Sequence, residues 1–283
     1  MSNWSDLAPR VISGVAMAAV AALAVWLGGP VLLVMLAICA GLMQWELARI
    51  CDPEKKRAAI WLGIIGGVIL LGNNFLDEFL DLTGSTQVDS IFVLVPFAVS
   101  IVLPSFVGLF LLSKKRKLHA SYALAIQLTA VVLYVFRWYD SAVLLLFIIG
   151  VVVITDVAGY FAGRLIGGPK FWPKVSPKKT WSGTIAGWIG AAIFGGIFSS
   201  FDASEHSSVI MGMLIAVSLS FAGQMGDIVE SAMKRSAGIK DSSNLIPGHG
   251  GFLDRFDAII GACIMVALIS LVLTAYVFLW FDL

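Results

Sequence analysis

Nine stretches of this chain are long and apolar enough to cross, or nearly cross, the roughly 30 Å hydrocarbon core of a membrane. They run over residues 11–28, 31–48, 59–76, 91–113, 121–137, 142–162, 182–200, 208–226 and 258–281. None shows the alternation of a membrane-barrel strand, so each is predicted to be a helix. Only 13% of the 283 residues are charged, whereas about a quarter are charged in a soluble domain. The sequence therefore predicts an all-α, polytopic integral membrane protein with about nine transmembrane helices.

The positive charges of the chain fall on one side of the predicted membrane. If the N-terminus is cytoplasmic and the helices alternate in direction, 18 of the 19 Lys and Arg residues lie in cytoplasmic segments, and only Arg137 lies outside. The opposite segments carry the acids Asp77, Glu78, Asp81, Asp89, Asp140, Asp202, Glu205 and Asp282. Because positive residues mark cytoplasmic loops, we expect a cytoplasmic N-terminus and an external C-terminus. We also expect a multi-pass protein of the cell inner membrane.

Two cytoplasmic segments, 163–181 and 227–257, are predicted to carry the function. They combine Gly, Pro, Ser, His, Asp, Lys and Arg at high density. The shorter cytoplasmic loops are plain basic clusters, which suit topology and contact with anionic lipids. We therefore divide the chain into N-terminal transmembrane helices, 1–140, and a C-terminal catalytic region, 141–283. The net charge of +1 gives no basic field for nucleic acid, so no nucleic-acid partner is expected.

The polar segment before the last apolar run combines acids at its ends with cations between them. Asp227 closes one apolar run and Asp254 opens the next, and Lys234, Arg235 and Lys240 lie between them. Mg²⁺ takes oxygen ligands and often bridges one or two carboxylates to substrate phosphates. Lys and Arg neutralise the remaining phosphate charge. The pattern predicts a metal–phosphate site, and a charged loop that only caps two helices is the alternative.

A glycine-rich turn and several further polar residues belong to the same segment. Ser231 lies one helical turn after Asp227, so the two side chains share a face. Gly250 and Gly251 would let the backbone approach phosphate groups closely. His249 could donate to a phosphate or brace the turn, and both alternatives stay open. The remaining candidates of this segment are Asp241, Arg255 and Asp257.

The earlier polar segment offers a second set of phosphate-binding groups. Asp156 lies within or at the end of an apolar run, where an ionisable group is costly and therefore a functional candidate. Ser176, Lys178 and Lys179 precede a predicted helix start and suit the binding of a polyphosphate. A helix cap with topology-setting lysines is an equal alternative for them.

Several smaller features are predicted to be structural. Gly159 and Gly163 are four residues apart, a spacing typical of close helix packing. His119 and His206 are expected in exposed loops. Two of the three cysteines lie inside apolar runs and are expected in the core, and the three show no metal-ligand spacing.

The run S-x-x-K-R-x₄-K-D-x₅-P-G-H-G-G-x-x-D-R-x-D, from Ser231 to Asp257, resembles the hallmark motif of the phosphatidate cytidylyltransferase (CDP-diacylglycerol synthase) family. The SPKKTW block and the run D-x-x-G-Y-F-x-G-R from Asp156 resemble it as well, and the resemblance covers about 150–265. One departure is Ser182, where many members carry an acidic residue. The resemblance implies a nucleotidyltransferase of phospholipid biosynthesis that makes CDP-diacylglycerol and pyrophosphate from CTP and phosphatidic acid.

The resemblance also implies roles for individual residues. Asp227 and Asp254 would bind Mg²⁺ or Mn²⁺, and a second metal or K⁺ is left open. Because each of the two acids marks the cytoplasmic boundary of a predicted membrane helix, we also predict that they share one metal site, which forms mainly when nucleotide is bound. The implied catalytic residues are Asp227, Asp254, Ser231, Lys234, Arg235 and Lys240. The implied substrate-binding residues are Ser176, Lys178, Lys179, His249, Gly250, Gly251, Arg255, Asp257, Asp241 and Asp156. The expected partners are CTP, phosphatidic acid and membrane lipids, and a homodimer is left open.

Two other functions compete with this interpretation. One is a CTP-dependent enzyme that acts on another lipid. The other is a cation-coupled transporter with Asp156 and Asp227 as a relay, which would favour two repeated halves. No internal repeat is visible in the sequence, and this counts against the transporter.

Overall fold

The computed structural model describes residues 7–83, 90–139, 142–201 and 208–281. Outside the described residues lie His206 and the acids Asp89, Asp140, Asp202, Glu205 and Asp282. The side chains of Arg10, Asp77, Glu78 and Asp81 also lie outside the described part. The predictions that rest on these residues therefore stay predictions.

Nine helices form within the described residues, one for each apolar stretch of the sequence. They are α1 (Leu7–Leu27), α2 (Gly29–Cys51), α3 (Lys56–Thr83), α4 (Ser90–Leu111), α5 (Arg116–Tyr139), α6 (Ala142–Leu165), α7 (Trp181–Ser200), α8 (Val209–Ser236) and α9 (Leu253–Phe281). Six segments of the described chain are long and apolar enough to cross a membrane, namely Gly29–Cys51, Arg116–Arg137, Ala142–Leu165, Trp181–Ser200, Val209–Ser236 and Leu253–Thr274. The helical membrane architecture is confirmed. Nine crossings and the orientation of the termini stay predictions.

A small antiparallel hairpin interrupts the helical fold, and the sequence did not predict it. Its strands are β1 (Lys170–Trp172) and β2 (Ser176–Thr180). Strands this short carry no readable alternation, which is the signal that identifies a strand from sequence. Thr180 ends β2 and caps α7, since its Oγ1 accepts a hydrogen bond of 3.2 Å from the backbone N–H of Gly183. This confirms the predicted helix start after the two lysines.

The chain folds as two compact units. The N-terminal unit contains α1 to α5 and also the segment 237–255, which follows α8 in the sequence. The C-terminal unit contains α6, the hairpin, α7, α8, and α9 from Phe256 onward. The polar segment that carries the hallmark motif is thereby divided between the two units.

Small residues allow the helices of the N-terminal unit to approach each other closely. A Cβ on Gly41 of α2 would lie 2.8 Å from the carbonyl oxygen of Gly63 in α3, and one on Gly67 would lie 2.9 Å from that of Ala37. Helix–helix contact in a membrane relies on such packing, because burying apolar surface from lipid brings no hydrophobic gain. α2 therefore lies firmly against α3, and this holds its polar residues in place.

Arg137, the one cation outside the predicted charge segregation, caps a helix. Its Nε donates to the carbonyl oxygen of Val25 at 2.9 Å and its Nη2 to that of Trp26 at 3.3 Å. These carbonyls belong to the last turn of α1, where helical acceptors lack partners and a cation is favourable. The exception to the charge pattern thus has a local structural explanation.

The prediction that His119 lies in an exposed loop is wrong. His119 is fully buried, because α5 begins at Arg116 and already includes it. Gly108 of α4 lies against the imidazole, where any Cβ would collide with the ring. The error came from the predicted start of this helix at residue 121, since helix ends are the least certain part of a sequence assignment. The prediction that Cys39 and Cys263 lie in the core is confirmed, and Cys51 is buried as well.

Glycines also set the helix spacing in the C-terminal unit. A Cβ on Gly159 would lie 3.2 Å from the carbonyl oxygen of Gly183, and one on Gly163 would lie 3.0 Å from Thr180 Oγ1. The predicted packing role of this glycine pair is therefore confirmed. In α8, a Cβ on Gly226 would collide with the carbonyl oxygen of Asp257 in α9. Asp227 is the residue after Gly226 in α8. The close approach of the two helices therefore places Asp257 of α9 at the same height as Asp227.

Candidate active site

The C-terminal unit contains a cluster of opposite charges, which we call the charge cluster: Lys179, Asp227, Asp257 and Asp156. Lys179 Nζ lies 2.6 Å from Asp227 Oδ2 and 3.3 Å from the carbonyl oxygen of Gln224. The side chains of Lys179 and Asp227 are 25% and 31% exposed, so the ion pair is accessible at the surface of this unit. The hairpin thus places the ammonium group of Lys179 against Asp227, the acid at the end of an apolar run.

Two further carboxylates lie within the reach of charge interactions. Asp257, one turn into α9, feels the charges of Asp227, Lys234 and Asp156. Its Oδ1 accepts a hydrogen bond of 2.8 Å from the backbone N–H of Ala258. Several carboxylates gathered in an apolar protein repel one another unless cations join them. The arrangement therefore favours binding of cations.

The predicted pairing of Ser231 with Asp227 is present in the structure. Ser231 Oγ donates to Asp227 Oδ1 at 3.3 Å, across one turn of α8. Hydroxyl and ammonium groups thus face different oxygens of the same carboxylate. This holds the side chain of Asp227 in one orientation.

A cavity of about 340 Å³ lies beside the charge cluster within the C-terminal unit. Its lining comes from α6, β2, α7 and α8, and consists of Thr155, Asp156, Gly159, Tyr160, Gly163, Arg164, Lys178, Lys179, Thr180, Gly183, Thr184 and Gln224. Three of these residues are cations and one is an acid. Arg164 Nη1 donates to the hydroxyl of Tyr160 at 2.9 Å, which orients the guanidinium. A cavity with this lining suits an anionic ligand of small-molecule size.

Lys234 is engaged in an ion pair that the sequence analysis missed. Its Nζ lies 2.6 Å from Glu230 Oε2, and the Glu230 side chain is 0% exposed. The two residues are four apart on α8, so the spacing of an acid before a lysine was a signal that could have revealed the pair. The predicted role of Lys234 in binding phosphate stays a prediction.

The N-terminal unit contains a second polar cluster, which we call the loop anchor: Glu46, Ser242, Ser243, Gly251 and Asp254. Asp254 Oδ2 accepts hydrogen bonds from the backbone N–H of Ser242 at 2.9 Å, from its Oγ at 2.9 Å, and from the backbone N–H of Gly251 at 2.8 Å. These bonds close the loop in front of α9.

Three residues of this cluster, Glu46, Ser242 and Ser243, were not predicted from the sequence, and Glu46 is the one that the others contact. It lies in α2 with 0% exposure. Its Oε1 accepts from Ser243 Oγ at 2.5 Å and from the backbone N–H of Phe252 at 3.0 Å. Its Oε2 accepts from Ser242 Oγ at 3.1 Å and from the backbone N–H of Leu253 at 2.7 Å. A lone acid in the second apolar stretch was the available signal, since such residues are rare without a function.

His249 braces the glycine-rich turn. Its Nδ1 lies 2.8 Å from Ser13 Oγ, and this hydroxyl donates its proton to the carbonyl oxygen of Pro247 at 3.1 Å. The carbonyl oxygen of His249 accepts from Arg255 Nη2 at 2.7 Å. Gly250, with a φ of +88°, supplies the left-handed backbone of the turn. The bracing alternative thus has structural support, and contact of His249 with phosphate stays a prediction.

The other predicted site residues divide between the same two units. Ser176 and Lys178 lie on β2 in the C-terminal unit, and Arg235 is exposed at the end of α8. Lys240 and Asp241 are exposed in the segment that joins the N-terminal unit. Asp227 belongs to the C-terminal unit and Asp254 to the N-terminal unit, and the metal site that they would share stays a prediction. Ser182, the departure from the family pattern, donates to the carbonyl oxygen of Gly167.

The chain is similar to known cytidylyltransferases. The model of the Cytidylyltransferase family matches residues 8–273. A phosphatidate cytidylyltransferase of Staphylococcus epidermidis is 38% identical over 122 residues, which are 40% of this chain and 44% of that protein. One of Bacillus subtilis is 40% identical over 104 residues, 37% of this chain and 38% of that protein. One of Brucella suis is 36% identical over 124 residues, 44% of this chain and 45% of that protein. In each case the chain matches less than half of the relative's length.

Proposed function

Since the chain belongs to the cytidylyltransferase family, we propose that it is a phosphatidate cytidylyltransferase of phospholipid biosynthesis. It would join CTP and phosphatidic acid to give CDP-diacylglycerol and pyrophosphate. A phosphate oxygen of phosphatidic acid attacks the α-phosphorus of CTP and forms the new P–O bond. The bond from the α-phosphorus to the bridging oxygen breaks, and pyrophosphate leaves with that oxygen.

The observation that carries this proposal is the cation-lined cavity beside the Lys179–Asp227 pair. A triphosphate needs several cations at close range, and Arg164, Lys178 and Lys179 line one cavity. Charge that develops on the leaving pyrophosphate is stabilised by cations held in place before the reaction. These three side chains would bind and orient the triphosphate.

The charge cluster also fits a divalent cation. Asp227 Oδ2 already faces the ammonium group of Lys179 at 2.6 Å, so this carboxylate is placed to neutralise a cation. No three His, Cys, Asp or Glu side chains of the described residues converge as a ready metal site. Mg²⁺ commonly uses one or two carboxylates together with substrate phosphates and water. Asp227, with Asp257 beside it, would hold Mg²⁺ or Mn²⁺, which when bound neutralises triphosphate charge. Asp254 is the further metal ligand that the sequence predicts.

The decisive experiment is an assay of the purified protein in detergent with labelled CTP. With phosphatidic acid we expect a labelled lipid and release of pyrophosphate, and EDTA should abolish both. Parallel reactions with a polyprenyl phosphate and with an archaeal-type ether lipid test the alternative acceptor. A labelled product only with one of those lipids would replace the proposed substrate. Absence of product with every lipid would refute the transferase itself.

We further propose that both polar segments, 163–181 and 227–257, face the cytoplasm of a cell with this protein in its inner membrane. The segregation of positive charge supports this orientation. Single cysteines at Lys117, Lys174 and Lys240, in a background without native cysteines, should react with a membrane-impermeant reagent only after the cells are opened. Single cysteines at positions 81 and 202 should react in intact cells. Labelling of positions 174 and 240 from outside would overturn the orientation.

A further inference from the structure

Glu46 occupies a position that is costly unless it serves a purpose. It is completely buried in α2, within a segment long and apolar enough to cross a membrane. A buried carboxylate is tolerated only where donors replace its lost hydration. Glu46 receives two hydroxyl and two backbone donors, all from residues 242–253. Each of these groups can donate a hydrogen bond to a carboxylate oxygen of Glu46.

The backbone donors are the ones that a helix start leaves without partners. The N–H groups of Phe252 and Leu253 stand at the beginning of α9 and would otherwise lack helical acceptors. Glu46 accepts from both, at 3.0 and 2.7 Å, and places its negative charge at the positive end of the helix. α2 thereby caps α9 with a side chain some 200 residues earlier in the sequence.

Ser242 connects Glu46 to Asp254. Its Oγ lies 3.1 Å from Glu46 Oε2 and 2.9 Å from Asp254 Oδ2, so the single proton of this hydroxyl is shared between the two carboxylates. Gly251 makes this approach possible, because a Cβ there would collide with Ser242 Oγ and with the Glu46 carboxylate. Any displacement of Glu46 would therefore be transmitted to Asp254 and to the glycine-rich turn.

We propose that Glu46 is a positioning residue for cytidylyl transfer. It holds the segment 241–254, and with it the Asp254 carboxylate, in the geometry that the reaction needs. The proposal rests on the proposed function, because the consequence for turnover assumes that this segment takes part in catalysis. The anchoring itself can be measured without any substrate.

The kinetic test compares Glu46→Gln with Gln44→Leu. Both residues lie in α2 with 0% exposure, and Gln44 donates to the carbonyl oxygen of Ala123 rather than to the loop. Glu46→Gln places an amide NH₂ against two donors, so we expect kcat per folded molecule to fall roughly tenfold to a hundredfold, as for a slightly misplaced catalytic group. The KM for CTP should change less than threefold. Gln44→Leu should lower the thermal midpoint and leave kcat within twofold.

The second measurement follows the loop directly. Ile246 is 6% exposed, and Ile246→Cys in a background without native cysteines reports opening of the loop through maleimide labelling. Glu46→Gln should accelerate this labelling at least tenfold, whereas Gln44→Leu should leave it within twofold. Ser243→Ala removes one donor and should accelerate it roughly fivefold, about the net worth of one hydrogen bond. If Glu46→Gln fails to fold, Ser243→Ala decides the question.

The two readouts separate this proposal from the proposed function. Accelerated labelling in a protein that transfers no cytidylyl group would leave the anchor intact and refute the transferase. Unchanged labelling together with unchanged kcat, in a folded Glu46→Gln or Ser243→Ala variant, would overturn the anchor. Unchanged labelling with a lowered kcat would also overturn it, since Glu46 would then act by some means other than holding the loop.

Discussion

The loop anchor and the charge cluster both collect carboxylates, but they neutralise them in opposite ways. In the loop anchor, Asp254 and Glu46 accept hydrogen bonds from hydroxyl groups and backbone N–H groups. In the charge cluster, Asp227 meets the ammonium of Lys179, which is itself partly exposed. Short bonds to backbone donors fix a carboxylate in place. An accessible ion pair contributes little to stability and can be replaced by a ligand of matching charge.

Because of this difference, we expect different roles for Asp227 and Asp254, although the two acids look equivalent in the motif. Asp227 lies where a metal cation can replace Lys179 as its partner, and the freed ammonium group can then pair with an anionic substrate. Asp254 is tied to its own loop by three hydrogen bonds to Oδ2. We therefore expect variants of the charge cluster to change chemistry and binding with little change in folding. Variants of the loop anchor should change activity and stability together.

The largest effect is expected for Asp227→Asn. Loss of this charge should lower turnover by roughly 10²–10³-fold, the size seen when one preorganised electrostatic group is removed. The thermal midpoint should change little, because an ion pair that stays partly exposed to solvent is worth about 1 kcal/mol or less. Steady-state CTP assays and thermal scans of the same preparations measure both. Glu54→Gln, which removes an exposed acid paired with Lys114, is the control and should keep full turnover.

The second prediction concerns Asp254→Asn, whose effect on stability should differ most clearly from that of Asp227→Asn. The amide would place an NH₂ group against N–H donors, so turnover should fall below a tenth of wild type while the protein still folds. Stability should fall by about 1–3 kcal/mol, the cost of an unsatisfied buried polar group. Turnover above a tenth would argue against a metal-ligand role for Asp254. Unchanged stability would contradict its bracing role.

The third prediction sharpens the role of Lys179. Lys179→Ala should raise the KM for CTP roughly tenfold, the loss expected when one charged hydrogen bond to phosphate worth about 1.5 kcal/mol is removed. Its effect on the thermal midpoint should be small. Lys174→Ala, an exposed lysine of the same segment that does not line the cavity, is the matched control. Equal KM values for the two variants would remove Lys179 from the binding site.

The smallest effect is expected for Asp52→Asn. This variant tests whether a carboxylate that only braces the fold, at a distance from the loop, affects catalysis. Asp52 is buried at the end of α2, and its Oδ2 accepts from the backbone N–H groups of Ser113 and Lys114 at 2.9 and 3.0 Å. Asp52→Asn should lower stability by about 1 kcal/mol and leave turnover unchanged. A change in turnover would mean that bracing distant from the loop also reaches the active site.

The stability contribution of Asp52 should also depend on pH. Burial raises the pKa of Asp52. The backbone hydrogen bonds from Ser113 and Lys114 and the charges of Lys114 and Lys55 lower this pKa more, so the pKa of Asp52 lies below its usual range. A lowered carboxyl pKa stabilises the fold above the pKa of the unfolded chain, and this stability is lost as the pH falls through the folded value. Chemical denaturation of wild type and Asp52→Asn should therefore differ at neutral pH and converge in acid. A difference that persists in strong acid would contradict this.

Much of the architecture follows from local sequence properties alone. Each apolar stretch became a helix, because the length and hydropathy of a segment decide this without reference to the rest of the chain. The pairing of Ser231 with Asp227 and the packing of Gly159 and Gly163 also followed from helical spacing. The helix start after Thr180 was recognisable from the polar residues before an apolar run.

The partners of the charged residues depended on tertiary packing. The hydrogen bond from Ser242 to Glu46 spans 196 residues of sequence, and no local pattern predicts which donors a buried acid will meet. The same holds for Arg137, which caps a helix 111 residues earlier, and for the ion pair of Lys179 with Asp227. Hydropathy and residue spacing indicate only the average environment of a segment and not the partner of each side chain. Which carboxylate stays fixed and which can exchange its partner is set by the few donors within about 3 Å, and only the packing of distant helices brings these together.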